Sequence, residues 1–177
     1  MSEARFRKPS DAEGARLLAR LMLAWDGQWF LKTAEGCGLD KAVELNARVR
    51  ASFGRIEMRE YTKTIGVDRV GNLEEAARII EGYAALFFGE GLEVRWALAA
   101  QDTAEVFIER CVAQEGAQRA GLRPDTPCVA CEKLWSSWLG ALLKDSTWET
   151  TIPHSLGRGA DHCEIRLRKS NDPASSS

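Results

Sequence analysis

At Gly89-Glu90-Gly91 the hydrophobic period of this chain changes, and that switch constrains the fold more than any other feature. Before it, apolar residues recur every three or four positions, the spacing of amphipathic helices. After it, Leu92, Val94, Trp96 and Leu98 alternate with Glu93, Arg95 and Ala97, the pattern of a half-buried strand. A chain of 177 residues can enclose one sizeable core. Helices first and paired strands later imply an α+β domain: N-terminal helices packed with a small antiparallel sheet that carries a late helix. Residues 10–88 form the helical part, 89–169 the α+β part, and 170–177 a polar tail without structure. No linker composition separates the two parts, so residues 1–177 are expected to make a single compact unit.

Three helices are predicted in the front half. Ser10 and Glu13 form a capping box. Leu17, Leu18, Leu21, Met22, Trp25 and Trp29 follow at helical spacing, to about Ala34, with a stop at Gly36–Gly38. The two tryptophans read first as an aromatic ridge in the core with Asp26 exposed, and second as an aromatic wall for a planar molecule with Asp26 as its polar handle. Asp40 can cap the next helix. There Ala42, Leu45, Val49, Phe53 and Ile56 form the stripe expected to face the core, and Glu57 and Glu60, three apart, read first as a charged solvated face and second as paired carboxylates for a metal. Asn72 and Glu75 cap a third helix, with Leu73, Ala76, Ile80, Tyr83, Ala84 and Phe87 inward.

In the second half, Gln101–Thr103 is a turn, Glu105–Cys111 a second strand, and Val112–Gly121 is either helix or irregular strand. Chemistry concentrates between Thr126 and Arg168, which holds three of the five cysteines and both histidines. Thr126 and Pro127 resemble an N-cap and first helical turn, followed by a helix to about Leu143. Cys128 and Cys131 then lie three apart at a helix N-terminus, where the partial positive charge favours thiolate over thiol. Trp148–Ile152 and Asp161–Arg168 are strands, and the second turns Cys163, Ile165 and Leu167 to the core. Three thiols meeting there would suit a nucleophile or a metal site of Cys128, Cys131 and Cys163 with His154 or Glu149, holding zinc or iron. No second CxxC is present to complete a zinc knuckle. Packing is the plain alternative for each cysteine. His154 is the candidate acid–base group, and His162 points away from Cys163. Cys37 and Cys111 receive no role.

The formal net charge of -2 argues against a nucleic-acid partner. No segment approaches the roughly 20 apolar residues of a membrane span. An odd number of cysteines without a secretory signal suggests free thiols and a cytoplasmic location. Phosphate-loop, serine-hydrolase and zincin motifs are absent from the sequence.

The ending L-G-R-G-A-D-H-C-E-I-R-L-R-K resembles that of the L-2-amino-thiazoline-4-carboxylic acid hydrolase family, matched at Gly157 or Gly159, Asp161 and Cys163. The stretch carrying Trp25, Asp26, Gly27, Trp29 and Phe30 is similar to a related uncharacterised bacterial family. The helix–strand–turn–strand ending also resembles the vinyl-reductase-type small-molecule-binding domain, a resemblance that implies metal-holding late cysteines. The first resemblance implies hydrolysis of a non-peptide C–N bond in a heterocyclic or amidine-like acid. Cys163 or Cys128 would then be nucleophile or ligand, His154 acid–base, Arg158 the anchor for a carboxylate, and Trp25, Asp26, Trp29 and Trp135 the substrate wall. The third resemblance implies a non-catalytic sensor or carrier of a small molecule. Either reading expects a small-molecule ligand, and self-association is left open.

Overall fold

The computed structural model describes residues 7–100, 102–144 and 147–170. Residues 171–177, most of the expected polar tail, lie outside the described residues, as does Gln101. Among the described residues, five α-helices and a four-stranded antiparallel sheet make the α+β architecture that the switch of period implies.

Helix α1 spans Asp11–Cys37. Ser10 and Glu13 form the full reciprocal capping box at its start, and Gly38 joins it to α2, Leu39–Thr64. Asp40 sits inside the first turn of α2 and does not cap it, because the N-cap is Gly38, which has no side chain to do so. Helix α3 spans Leu73–Phe87, with the Asn72 side chain accepting from the Glu75 amide. Strands β1 (Leu92–Ala100) and β2 (Thr103–Cys111) form an antiparallel hairpin. The ambiguous stretch after β2 is helix α4, Val112–Arg119. Helix α5 (Cys128–Leu142), β3 (Trp148–His154) and β4 (Cys163–Lys169) complete the chain. The sheet order is β1-β2-β4-β3.

The elements stack in layers, with α5 in the middle. One side of α5 lies on the sheet, where the Ser136 hydroxyl donates to Thr150 on β3 at 2.8 Å. The other side meets α2. Gly54 makes that approach close: a Cβ there would come within 3.0 Å of the Ser137 Cβ and 3.1 Å of a Leu134 methyl. Ser137 also donates to the Ala51 carbonyl. Covered on both sides, α5 buries Leu134, Trp135, Trp138, Leu139 and Leu142, which explains why its apolar residues are not confined to one narrow stripe. The sheet contributes Ala104, Val106, Ile108, Ile165 and Leu167 to the same core.

Two expected core faces are largely turned outward, although Ala42 of the α2 stripe is buried as expected. On α2 the buried positions are Ala42, Ala47, Gly54, Glu57 and Met58, while Val49, Phe53 and Ile56 are exposed. The small residues are what allow α5 so near, so they take the inner side. On α1 no residue is fully buried, and the expected aromatic ridge is solvent-exposed: Trp25 and Trp29 are each 63% accessible and stack at 6.3 Å. This helix meets α2 through Ala19, Leu23, Asp26 and Phe30, which are half-buried. Asp26 is a structural partner there, ion-paired with Arg50 of α2.

Glu57 corrects the solvated-face reading. It is only 6% exposed and accepts the indole N–H of Trp138 at 2.8 Å, and it also bonds the Tyr83 hydroxyl. Burial, with Glu57 beside it, pushes the Tyr83 pKa well up.

Candidate functional site

The cysteines of the second half sit at or near the ends of α5 and of the strands. Cys128 opens α5, Cys131 follows one turn later, Cys163 starts β4 and Cys111 ends β2. The loop before α5 is pinned by Gly157, where a Cβ would come within 2.6 Å of the Pro124 carbonyl oxygen and 2.8 Å of the Asp125 Cα. Thr126 is not the N-cap: its hydroxyl donates to the Arg123 carbonyl, and Pro127 takes the cap position with no side-chain bond.

Two contacts organise the site. The Cys128 thiol lies 3.8 Å from the hydroxyl of fully buried Ser155. The Leu156 amide donates to the Cys163 sulfur at 3.4 Å. Deeper in, Cys131 is bonded by Trp135, whose ring meets Trp96 edge-on at 5.6 Å. Ser155, Trp96 and Cys111 carry no motif that sequence reasoning could single out; Trp96 and Cys111 enter through the register of the sheet and Ser155 through the turn that follows β3.

The electrostatics keep these groups as thiols. Desolvation raises the pKa of Cys128 and outweighs the lowering by Ser155 and Arg158. Cys163 is raised by burial in spite of the Leu156 amide. Cys131 is raised furthest, by burial and then by the neighbouring Cys111, Cys128 and Cys163. Cys111 is raised by burial as well. The thiolate-favouring effect expected of a helix N-terminus is overridden because these sulfurs are out of water.

The other expected site residues separate. His154 pairs with Glu164 across the β3–β4 ladder, after an irregularity beyond Thr151, with its Nε2 3.9 Å from the Glu164 carboxyl group. Its side chain is 62% exposed. Strand alternation puts Glu164 and Cys163 on opposite faces, so His154 is not placed to serve Cys163. His162 likewise turns away and contacts the Phe107 ring at 5.6 Å. Glu149 is exposed. Trp25 and Trp29 lie on the outer surface, whereas Trp135 is 2% exposed in the core, so they form no common wall. Arg158 does stay beside the thiols. Its charge acts on Cys128 and Cys163, and its guanidinium donates to the Ile152 carbonyl at 2.9 Å.

Among the described residues, no group of three or more His, Cys, Asp or Glu could hold a metal ion. The zinc or iron site expected at Cys128, Cys131 and Cys163 with His154 is therefore not formed, because the sulfurs pack among apolar groups and the histidine faces elsewhere. Among the described residues, the buried indole N–H groups of Trp96 and Trp148 have no acceptor. Of the described helices, none is long and apolar enough to cross a membrane.

No protein-family model matches the sequence, and no curated protein matches it. The resemblance to a thiazoline hydrolase family is thus not reproduced. Solved structures do match the fold. Trafficking protein particle complex subunit 3 from Naegleria fowleri, covalently bound to palmitic acid, superposes with a TM-score of 0.62 at 13% identity, covering 88% of this chain and 96% of that one. The phenol-responsive sensory domain of the transcription activator PoxR, with phenol, superposes with a TM-score of 0.57 at 16% identity, covering 85% of this chain and 73% of that one. At such identities the likeness is one of fold.

Proposed function

We propose that this chain is a non-catalytic small-molecule-binding domain whose ligand is a small hydroxylated aromatic. The reading places the ligand between α5 and the sheet, at Trp96, Trp135 and Cys131. The observation that carries it is the buried N–H of Trp96 without an acceptor. An orphan donor of this kind costs about 1–3 kcal/mol, and a hydroxyl oxygen arriving beside it would recover that cost. The aromatic edges of Trp96 and Trp135 and the polarisable sulfur of Cys131 suit a planar apolar ring. The shared fold with a phenol-responsive sensory domain supports the same chemistry. Hydrolysis of a C–N bond is the weaker reading, since it needs a thiolate and a nearby base, and the thiols are held protonated with His154 on another face.

Titration of the indole region of a nitrogen-15 NMR spectrum with phenol, benzene and benzoate tests this. Phenol is expected to move the Trp96 indole signal strongly and benzene weakly. Benzoate would act at Arg158 if a carboxylate is the preferred group. Trp96→Phe should weaken phenol binding at least about tenfold, the loss of one good hydrogen bond. Absence of any shift in the Trp96 and Trp135 signals at saturating phenol would overturn the proposal.

A further inference from the structure

The outer face of α1 and α2 is apolar and uncovered. Leu17, Leu18, Leu21, Met22, Trp25 and Trp29 are exposed along α1, and Val49, Phe53 and Ile56 along α2. Helical spacing places Leu18, Met22, Trp25 and Trp29 on one line, roughly a quarter-turn from the Ala19, Leu23, Asp26 and Phe30 line that meets α2. On α2, the Val49–Phe53–Ile56 line lies away from Gly54 and Met58, which face inward. Both exposed rows therefore look out on the side opposite α5. Apolar rows of this extent ordinarily cover a core, and none of the described residues covers them.

We infer that a second copy of this chain docks on this face, through α1 of each protomer crossing the other in antiparallel fashion. The area fits: from their fractional exposures, these nine side chains present roughly 1,000 Å² per copy, against about 800 Å² per partner in a standard stable interface. A patch of that size exceeds the few hundred Å² that monomers usually leave open. The face is also self-complementary, as a two-fold contact requires. A crossing centred between Leu21 and Met22 sets Trp25 of one copy over Leu18 of the other. It brings Trp29 to Gly14, where a Cβ would have nothing within 4 Å, so a large ring meets an open position. The same register sets Lys32 against Asp11, opposite charges at the two ends of an apolar centre. A lipid surface fits less well. The α1 segment carries Asp11, Glu13, Asp26 and Glu35 against Arg16, Arg20 and Lys32, without the basic excess that anionic membranes attract.

The test is sedimentation equilibrium of the full chain, with the double variant Trp25→Glu/Trp29→Glu beside it. The wild type should have twice the 19.6 kDa chain mass in the low micromolar range. The double variant should have the single-chain mass, with an unchanged far-ultraviolet circular dichroism spectrum because both side chains are already exposed. Leu18→Lys is the second variant should the first not fold, and it should weaken self-association at least about a hundredfold, as burying an unpaired charge does. A wild type that stays at the single-chain mass at high micromolar concentration would overturn the inference. So would variants that dimerise as the wild type does, or a monomer that instead co-sediments with anionic phosphatidylserine vesicles in a Trp25- and Trp29-dependent way.

Discussion

Glu57 offers the sharpest test of how the helical layers are held. Its carboxyl group accepts the Trp138 indole N–H at 2.8 Å and also bonds the Tyr83 hydroxyl, so α2, α5 and α3 meet at one side chain. Glu57→Ala removes the acceptor and leaves two buried donors. At about 1–3 kcal/mol for each orphaned donor, the loss is about 2–6 kcal/mol, a large share of a typical domain's stability. Glu57→Gln retains a carbonyl oxygen for Trp138 and should cost only about 1 kcal/mol. Trp138→Phe removes one of the two donors, so the Ala and Phe substitutions should be less than additive, with a coupling of about 1–2 kcal/mol. Urea unfolding of the wild type, the three single variants and the Glu57→Ala/Trp138→Phe double variant, followed by circular dichroism, gives all of these values at once. A Glu57→Ala cost below about 0.5 kcal/mol, typical of a surface site, or strict additivity with Trp138→Phe, would refute the view that this buried network ties the layers together.

Three further outcomes are expected. Alkylation with iodoacetamide at about pH 7 should modify exposed Cys37 well before Cys128, Cys131 and Cys163, whose pKa values burial raises; rapid labelling of Cys128 or Cys163, read by peptide mass spectrometry, would restore the nucleophile reading. Because the folded thiols ionise above their ordinary value of 9.0, their contribution is intact below that pH. It falls above it, as the unfolded thiols release protons first; denaturation midpoints across the alkaline range should drop less steeply in Cys131→Ala than in the wild type. Gly157→Ala should destabilise by about 1–3 kcal/mol and disturb the Cys128–Ser155 contact, since its methyl would strike the Pro124 and Asp125 backbone; an unchanged melting temperature would contradict that close approach.

Much of the architecture was legible because it is set locally. The Ser10–Glu13 and Asn72–Glu75 caps, and the alternation through β1 and β4, depend on residues a few positions apart. The inward turn of Ile165 and Leu167 follows from the same alternation. The interval after β2 was ambiguous because eight residues of α4 carry too few periods to separate helix from strand. The cap at Thr126 failed because an Arg123 carbonyl, not an amide of α5, takes its hydroxyl.

The misread faces share one physical cause. Periodicity reports that a helix has an apolar side; it does not report which body covers it. In α2 the inner side had to be small so that α5 could approach Gly54, and the larger Val49, Phe53 and Ile56 were left outside. In α1 the partner α2 takes Leu23 and Phe30, and the tryptophans remain bare. The thiols show the same limit in the other direction. Spacing led to the expectation that Cys128, Cys131 and Cys163 share one site, and among the described residues no group of three or more potential metal ligands forms. Whether such sulfurs become ligands depends on desolvation and on where the histidine lands, and both are properties of the assembled layers. His154 follows Glu164 to the far face through a single irregularity in β3. One residue of register therefore separates a cysteine–histidine site from a packed interior, and with it a catalytic reading from a binding one.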